Sequence, residues 1–331
     1  MRRRALVVAA VGLVLVLAGL LAAVSWVRLP GRAAQGALSA LTARQLTLAR
    51  QLEETVRVLA GREHNVAHPE ALAAVLHEVE ARLPGAPARH SFLSGGTQVH
   101  NVVLELPGRT RALVVVGAHY DSARGTPGAD DNASGVAALL ALAELLGSKE
   151  RERTIQLVAF VNEEPPFFRT EEQGARQYVR HLESRHEQVV AMLSLETLGY
   201  YSDAPGSQHY PAPFGLLFPD TGDFVGFVAN APSRSLALRA TRAFAAASPL
   251  PFQGVCAPES LPGIGWSDHA AFWDAGIPAL MVTDTAPFRN PNYHRATDTP
   301  DSLDYERLAL AVVGLAAVVE ELAGAPTPAG R

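Results

Sequence analysis

The hydrophobic pattern changes its period along the chain, and these changes predict helices alternating with strands. Residues 36–61 have helical spacing, and Gly61 is placed to end that helix. Pro69 is placed to open a second helix, which Pro84 and Gly85 would close. Further strands are predicted at 100–106, 112–118, 154–161, 188–196 and 277–283, and further helices at 133–147, 171–185, 233–247 and 303–324.

This alternation favours an α/β fold. The predicted strands are almost continuously apolar, as at 113–116, which indicates a sheet covered on both faces. We therefore predict a mostly parallel, mixed sheet sandwiched by helices. Ligands of such sheets bind beyond the carboxyl ends of the strands. Residues 202–231, rich in Pro, Gly and aromatic side chains, are predicted to form a long loop that lines the site.

The N-terminal segment is the most apolar part of the chain. Residues 5–27 carry no charge, and a helix of that length, at about 1.5 Å per residue, crosses a hydrocarbon core of roughly 30 Å. Arg2–Arg4 should stay in the cytoplasm, which places the rest of the chain outside, in the periplasm or the extracellular space. A cleaved signal peptide is the alternative. The predicted division is a cytoplasmic tip at 1–4, a transmembrane anchor at 5–27, a linker and the start of a helical stalk at 28–49, the main domain at 50–323 and a tail at 324–331.

Composition narrows the function classes. The chain has 331 residues, is 48% hydrophobic and carries a formal net charge of −5, which excludes a disordered protein. It shows no basic stripe of the kind that nucleic acids require, so no nucleic-acid partner is expected. The single cysteine, Cys256, excludes an intrachain disulfide and a cysteine-based zinc site.

Charged side chains follow four of the predicted strands at the point where each strand ends. Taken one at a time they have ordinary explanations, such as a helix cap for Asp130 and Asp131. Gathered at one sheet edge, however, these carboxylates would repel one another unless a cation neutralised them. The groups concerned are His119 and Asp121, Asp130 and Asp131, Glu163 and Glu164, Glu196, and His294.

The residue types indicate which cation. Histidine and carboxylate ligands without a thiolate suit zinc, and also manganese or cobalt. Five ligand-type groups exceed the four of a structural zinc site, and they suit two ions about 3.5–4 Å apart that share a bridging carboxylate and a water. The consecutive Glu163 and Glu164 would then let one carboxylate bind metal while its neighbour accepts a proton.

Four blocks of the sequence resemble the M28 family of zinc aminopeptidases. They are GAHYDS, GADDNASG, NEEPPFF and NPNYHRATDTPDSLD, and the resemblance extends over roughly residues 50–323, so that the chain looks like a membrane-anchored bacterial member. Many family members carry Asp where this chain has Glu196, a departure that bears on the affinity and identity of the metal at that position. The resemblance also implies a cis peptide between Asp131 and Asn132.

Carried over residue by residue, the resemblance implies a two-zinc site. His119 and Glu196 would bind one zinc, Glu164 and His294 the other, and Asp131 would bridge the two. The general base would be Glu163, with Asp121 orienting His119 and Asp268 in a supporting position.

The implied activity is hydrolysis of the first peptide bond of substrates with a free N-terminus. A glutaminyl-cyclase-like acyltransferase with a single zinc and a catalytically inactive binding ectodomain remain as alternatives. Ser267–His269 has the letters of a serine-protease triad, but adjacent side chains cannot converge as that triad requires. His64 and His68 are predicted to be surface residues. Aromatic residues predicted to line a side-chain pocket are Phe167, Phe168, Tyr200, Tyr201, Phe214, Phe218 and Trp266.

Overall fold

The computed structural model describes residues 12, 14, 18, 19, 21–34, 36, 38–147 and 149–325. The predicted cytoplasmic tip, much of the predicted anchor and most of the predicted tail lie outside these residues. Residues 21–27 are helical. Among the described residues, no helix combines the length and apolar character needed to span a bilayer.

The described strands form one nine-stranded mixed sheet. They are β1 Arg28–Arg32, β2 Ala88–Ser94, β3 Thr97–Leu106, β4 Thr110–His119, β5 Arg153–Phe160, β6 Val189–Glu196, β7 Val225–Ala229, β8 Phe252–Cys256 and β9 Ala279–Thr283. Their order across the sheet is β1-β8-β7-β9-β6-β4-β5-β3-β2. The neighbours β5-β4-β6-β9 run parallel and form its centre, and β7 and β8 are also parallel to each other. Antiparallel pairing adds β3 and β2 on one side, joins β7 to β9, and adds β1 to β8 at the other edge.

Helices cover both faces of this sheet, as the sequence predicts. The described α-helices with assigned bounds are α1 Ala43–Leu59, α2 Pro69–Arg82, α3 Gly135–Leu146, α4 Gly174–Ser184, α5 Arg234–Ala247, α6 His269–Asp274 and α7 Tyr305–Ala323. The larger core lies between the sheet and α1, α2, α3, α5 and α7, and the smaller core lies under α4 and α6 on the opposite face.

Local hydrogen bonds set the helix boundaries more narrowly than the hydrophobic pattern does. The helix predicted from residue 36 begins at Ala43, because Thr42 and Gln45 form a reciprocal capping box there. The last helix begins at Tyr305, where the Asp304 carboxylate accepts the backbone N–H of Arg307 at 2.9 Å.

Two sequence predictions were wrong about the organisation of one half of the sheet. Residues 28–32, predicted as linker, form the edge strand β1, and Leu29 is only 2% exposed. The composition RLPGR hides this strand, since it contains a single large apolar residue. Residues 202–231, predicted as one loop, contain β7, and all five residues of that strand are buried.

Candidate metal centre

The chemically active side chains lie at or beyond the carboxyl ends of four strands, β4, β5, β6 and β9. His119 is the last residue of β4 and Glu196 the last of β6, while Glu163 and Glu164 follow β5 closely. Asp131 lies in a turn between β4 and α3, and its peptide bond to Asn132 is cis, as the resemblance implied. The loop after β9 supplies His294, the one member of the set that is exposed.

Asp131 lies between the two histidines. Its Oδ1 is 3.2 Å from Nε2 of His119, and its Oδ2 is 3.0 Å from Nε2 of His294. Oε1 of Glu196 lies 3.5 Å from the His119 nitrogen, and Oε2 of Glu164 lies 3.4 Å from the His294 nitrogen. Two groups of three result, one with His119 and Glu196 and one with Glu164 and His294, and Asp131 belongs to both.

The ligand atoms of each group lie within 4.8 Å of one another, close enough for one ion to contact all three. Glu163 belongs to neither group. Its Oε2 is 3.9 Å from Nε2 of His119, and it enters a third, overlapping group with His119 and Glu164. The structure therefore places every sequence-predicted ligand at one location, with Glu163 beside them.

The Asp121 carboxylate holds the Glu163–Glu164 turn. Its two oxygens accept the backbone N–H groups of Glu163 and Glu164, each at 3.1 Å. The predicted contact to His119 is made differently: Nδ1 of His119 lies 3.0 Å from the backbone carbonyl oxygen of Asp121 and 3.8 Å from its carboxylate. The carboxylate is occupied by the two amides, so the carbonyl orients the imidazole.

The side chain of Asn132 fixes the end of β6. It donates to the carbonyl oxygen of Leu195 at 2.9 Å and accepts the N–H of Thr197 at 3.0 Å, so both peptide groups that flank Glu196 are held. Thr197 has a φ of 51°, an uncommon value for a β-branched residue. Such a conformation persists where the surrounding contacts determine it.

Two further residues position the ligands, and sequence reasoning did not assign either role. Ser267 donates to Oε2 of Glu196 at 2.6 Å. The Asp298 carboxylate accepts the backbone N–H groups of Asp130 and Asp131 at 2.9 and 3.2 Å. Ser267 lies next to Asp268, and Asp298 lies in the block NPNYHRATDTPDSLD that contains His294. Nothing in the spacing of either residue predicts these contacts.

Asp268 directly follows Ser267, the residue that donates to Glu196. Oδ1 of Asp268 accepts a hydrogen bond from Gln173 at 3.1 Å, while its Oδ2 is buried and has no hydrogen-bond partner in the part of the chain that the structure describes. Burial raises the pKa of Asp268 to about 7. His64, predicted at the surface, is instead 2% exposed, and its backbone N–H donates to Ser122 next to Asp121.

Burial and crowding give the acidic groups unusual proton affinities. Burial, together with the nearby Asp131 carboxylate, raises the pKa of Glu164 to about 8. Burial also raises the pKa values of Glu163 and Glu196. Burial opposes the charged form of His294, but hydrogen bonds to Asp131 and Glu164 outweigh it and raise the pKa of His294 to about 10. The site therefore holds excess negative charge that protons or cations must balance.

These residues fit zinc. Nε2 of His119, Oδ1 of Asp131 and Oε1 of Glu164 are buried and have no hydrogen-bond partner among the described residues. Unpaired buried polar atoms are costly, and a metal ion satisfies several of them at once. The imidazole and carboxylate donor set is one that zinc accepts.

A cleft of about 810 Å³, counted to its open mouth, begins beside Glu196 and is mostly apolar. Of the aromatic residues predicted to line a pocket, Phe214, Phe218 and Trp266 do so. Tyr201 instead is buried with its ring 5.9 Å from the guanidinium of Arg289. Lining aromatic residues that the sequence reasoning missed are Tyr210, Phe224, Phe227, Phe288 and Tyr293.

Comparison with known proteins decides the family. Residues 101–319 match the profile of Peptidase family M28. This range contains most of the described sheet and all of the candidate metal ligands. The chain belongs to peptidase family M28. The M28 chain is 39% identical over 279 residues to the uncharacterised protein YfbL of Escherichia coli (strain K12), covering 80% of this chain and 85% of that protein. It is 29% identical over 226 residues to a probable leucine aminopeptidase of Arthroderma otae, covering 64% of this chain and 53% of that protein.

Solved structures share the fold of this M28 chain. The LapA aminopeptidase of Legionella pneumophila superposes with a TM-score of 0.68 at 18% identity, covering 88% of this chain and 78% of LapA. The glutaminyl cyclase of Fimbriiglobus ruber superposes with a TM-score of 0.60 at 15% identity, covering 88% of this chain and 99% of the cyclase. Together with the metal-ligand groups, family membership makes this chain a metal-dependent hydrolase of the aminopeptidase type.

Proposed function

We propose that this M28 chain is a two-zinc aminopeptidase that removes single residues from peptides with a free N-terminus. The observation that carries the proposal is the position of Asp131, with one carboxylate oxygen facing His119 and the other facing His294. A carboxylate so placed is suited to bridge two ions.

The proposed ligands follow the two groups of three. His119 and Glu196 would hold one zinc, Glu164 and His294 would hold the other, and Asp131 would contact both. When bound, the two ions would lower the pKa of the attacking water and polarise the carbonyl of the scissile bond. Glu196 is one methylene longer than the aspartate common at this position, and the hydrogen bond from Ser267 holds its carboxylate towards His119.

Glu163 is the proposed general base. Its carboxylate lies next to the ligand groups but belongs to neither of the two groups that contain Asp131. Its backbone N–H donates a hydrogen bond to the Asp121 carboxylate. Oε2 of Glu163 would take the proton of the attacking water and deliver it to the leaving amine nitrogen. Burial raises its pKa, which favours the protonated form that the second step needs.

The apolar cleft beside Glu196 would receive the side chain of the N-terminal residue. Tyr293 lines the cleft and stacks on His294 with 4.0 Å between ring centroids, so the cleft adjoins the candidate ligand set. Apolar pockets with few polar groups are typical of small-ligand sites.

We also propose that residues 5–27 anchor the protein in a membrane, with the catalytic domain outside the cytoplasm, since this run is long, apolar and uncharged.

The test combines metal analysis with activity in the purified full-length chain. Zinc per chain is measured, and amino acid release is assayed with unblocked and N-acetylated dipeptides. We expect close to two ions per chain and turnover of unblocked substrates alone. Glu163→Gln should lower kcat by about 10²- to 10⁴-fold without loss of zinc, whereas Glu183→Gln, at an exposed position on α4, should have no effect.

The same experiment separates the alternatives. A glutaminyl cyclase would hold one ion and cyclise N-terminal glutamine, and the fold likeness to the Fimbriiglobus ruber enzyme makes that substrate worth including. An inactive binding ectodomain would show neither metal nor turnover. Either result would overturn the proposal.

A further inference from the structure

Arg289 is a buried arginine between the apolar cleft and the loop that carries His294. The residue is 7% exposed, and its Nε donates to Oε1 of Gln208 at 2.7 Å. Its Nη1 donates to the backbone carbonyl oxygens of Phe224 at 2.8 Å and Tyr200 at 3.5 Å. Cζ of the guanidinium also lies over the ring of Phe224, 4.5 Å from its centroid. These partners all belong to one stretch of chain, residues 200–224.

Residues 200–224 form one wall of the cleft, and we call them the wall segment. They lie between β6 and β7, and the 3₁₀ turn Phe214–Leu216 is their one regular element in the described structure. A segment with so little regular backbone hydrogen bonding depends on other contacts for its position. The wall-segment residues that line the cleft are Gln208, Tyr210, Pro211, Phe214, Phe218 and Phe224.

The contacts of Arg289 are distributed along the whole wall segment. Tyr200 is its first residue, Gln208 lies within it and Phe224 is its last residue. Burial of a guanidinium beside neutral acceptors is costly. The planar group can, however, hold several oxygens in one fixed geometry, which the ammonium group of a lysine cannot do. Arg289 is therefore suited to hold both ends and an interior point of the segment together.

The residue after Arg289 connects the same backbone to the candidate metal ligands. Nδ2 of Asn290 donates to Oδ2 of Asp130 at 2.7 Å, and Asp130 directly precedes Asp131. His294 follows Asn290 by four residues in the same loop. Two adjacent residues thus contact the wall segment on one side and the turn that carries Asp131 on the other.

We propose that Arg289 is a positioning residue that fixes the cleft wall relative to the metal ligands. The inference rests on the proposed aminopeptidase function. A substrate then has to place its scissile carbonyl at the metal centre and its N-terminal side chain in the cleft at the same time. A displaced wall weakens binding most for side chains that fill much of the cleft, so leucine substrates are affected more than alanine substrates.

The test compares leucine and alanine p-nitroanilides with the full-length chain. Arg289→Lys keeps the charge but loses the planar group, and we expect KM for the leucine substrate to rise about tenfold, the effect of one hydrogen bond from a charged donor. KM for the alanine substrate should rise much less. A variant that only folds less completely would lower kcat for both substrates equally and leave KM unchanged.

The matched control is Arg242→Lys, at an exposed position on α5, which should change neither KM value. If Arg289→Lys left the ratio of the two KM values unchanged, the inference would be overturned.

A second variant acts on Arg289 from the wall segment and keeps the arginine. A Cβ on Gly222 would lie 3.2 Å from Nε of Arg289 and 3.3 Å from its Cδ, and Gly222 is a wall-segment residue that does not line the described cleft. Gly222→Ala should therefore displace the guanidinium and raise KM for leucine more than for alanine. Combined with Arg289→Lys it should add little, because both changes act through one contact.

Full additivity in the double variant would contradict this shared path. Gly61→Ala is the control, since a Cβ there would make only ordinary contacts, the nearest at 3.6 Å.

Hydrogen exchange separates this inference from the proposed function. Within the wall segment, the N–H of Ser202 donates to the carbonyl oxygen of Gly222 at 2.9 Å. Amides of the segment should exchange faster in Arg289→Lys than in the control variant, whether or not the protein turns over. Unchanged exchange would overturn the inference even in an active aminopeptidase. Faster exchange in a protein that hydrolyses no unblocked substrate would support the holding role of Arg289 and refute only the proposed function.

Discussion

Oγ of Ser267 lies 2.6 Å from Oε2 of Glu196, and it also lies 2.7 Å from Oγ of Ser194 on β6. Glu196 reaches His119 with its other oxygen, so the serine pair fixes which carboxylate oxygen is presented to the site. The longer side chain at this position is thereby restrained by a partner outside the ligand set.

Removing that partner should weaken metal binding at one position. We expect Ser267→Ala to lower zinc affinity at the His119–Glu196 position by about 10- to 100-fold, as is typical when a hydrogen bond to a metal ligand is lost. Competition with a chromophoric chelator would measure this. Ser184→Ala, at an exposed position on α4, is the control, and unchanged affinity in Ser267→Ala would show that Glu196 needs no such restraint.

The position of Asp131 in both candidate ligand groups predicts unequal losses of metal. His294→Ala removes a ligand from one group only, so the variant should keep close to one ion per chain. Asp131→Asn weakens both groups and should keep fewer. Elemental analysis after dialysis would measure the content, with His77→Ala, at an exposed position on α2, as the control. Loss of both ions from His294→Ala would mean that the two positions do not fill independently.

The Asp121 carboxylate should influence catalysis through Glu163 and Glu164. In Asp121→Asn, one oxygen is replaced by an NH2 group that cannot accept a backbone N–H, so the turn that carries both glutamates would shift. We expect kcat to fall by about 10- to 100-fold with KM little changed. Asp220→Asn, at an exposed position, should match the unmodified protein. A change in KM alone would argue against positioning of the base.

Without metal, the protein should become less stable as the pH rises. Burial raises the pKa of Glu164 from 4.5 to about 8, and contacts with Asp131 and Glu164 raise that of His294 from 6.5 to about 10 despite its burial. Between roughly pH 4.5 and 10 these two groups bind more protons in the folded state than in the unfolded state, so their contribution to the free energy of unfolding falls with increasing pH.

Thermal unfolding of the chelated protein at pH 6, 8 and 9.5 would measure this trend. Tm should decrease across the series, and the decrease should be smaller with zinc bound, because the cation replaces the protons. A Tm of the chelated protein that rises over this range would contradict the assigned charge balance.

Much of the site could be predicted from the sequence, because its side chains follow the ends of strands that the apolar pattern identifies. Once apolar runs place His119, Glu163 and Glu196 after parallel strands, the geometry of an α/β sheet brings them to one edge. The contacts that orient these groups could not be predicted. Ser267 acts through its hydroxyl on Glu196, and the side chain of Asn132 acts on backbone groups of Leu195 and Thr197. Neither contact changes the hydrophobic periodicity or the composition of the sequence.

The same distinction explains the errors in the fold. The central strands are long and apolar, so their pattern identifies them, and the capping box at Thr42 shows why a hydrophobic period alone misplaces a helix start. The strand at 28–32 pairs through its backbone at a sheet edge, where only Leu29 needs to be apolar. Edge strands with polar side chains resemble loops in sequence.

The place of β1 in the sheet restricts how the protein can be processed. A peptidase that separates the domain from the preceding apolar run has to cut before Arg28 if the released form is to keep its fold. A cut after Arg32 would detach the strand from β8 and expose the backbone groups of Phe252 and Gly254 to pairing with other chains. If residues 5–27 anchor the protein as proposed, a cut that releases a folded domain has to fall within a few residues of Trp26.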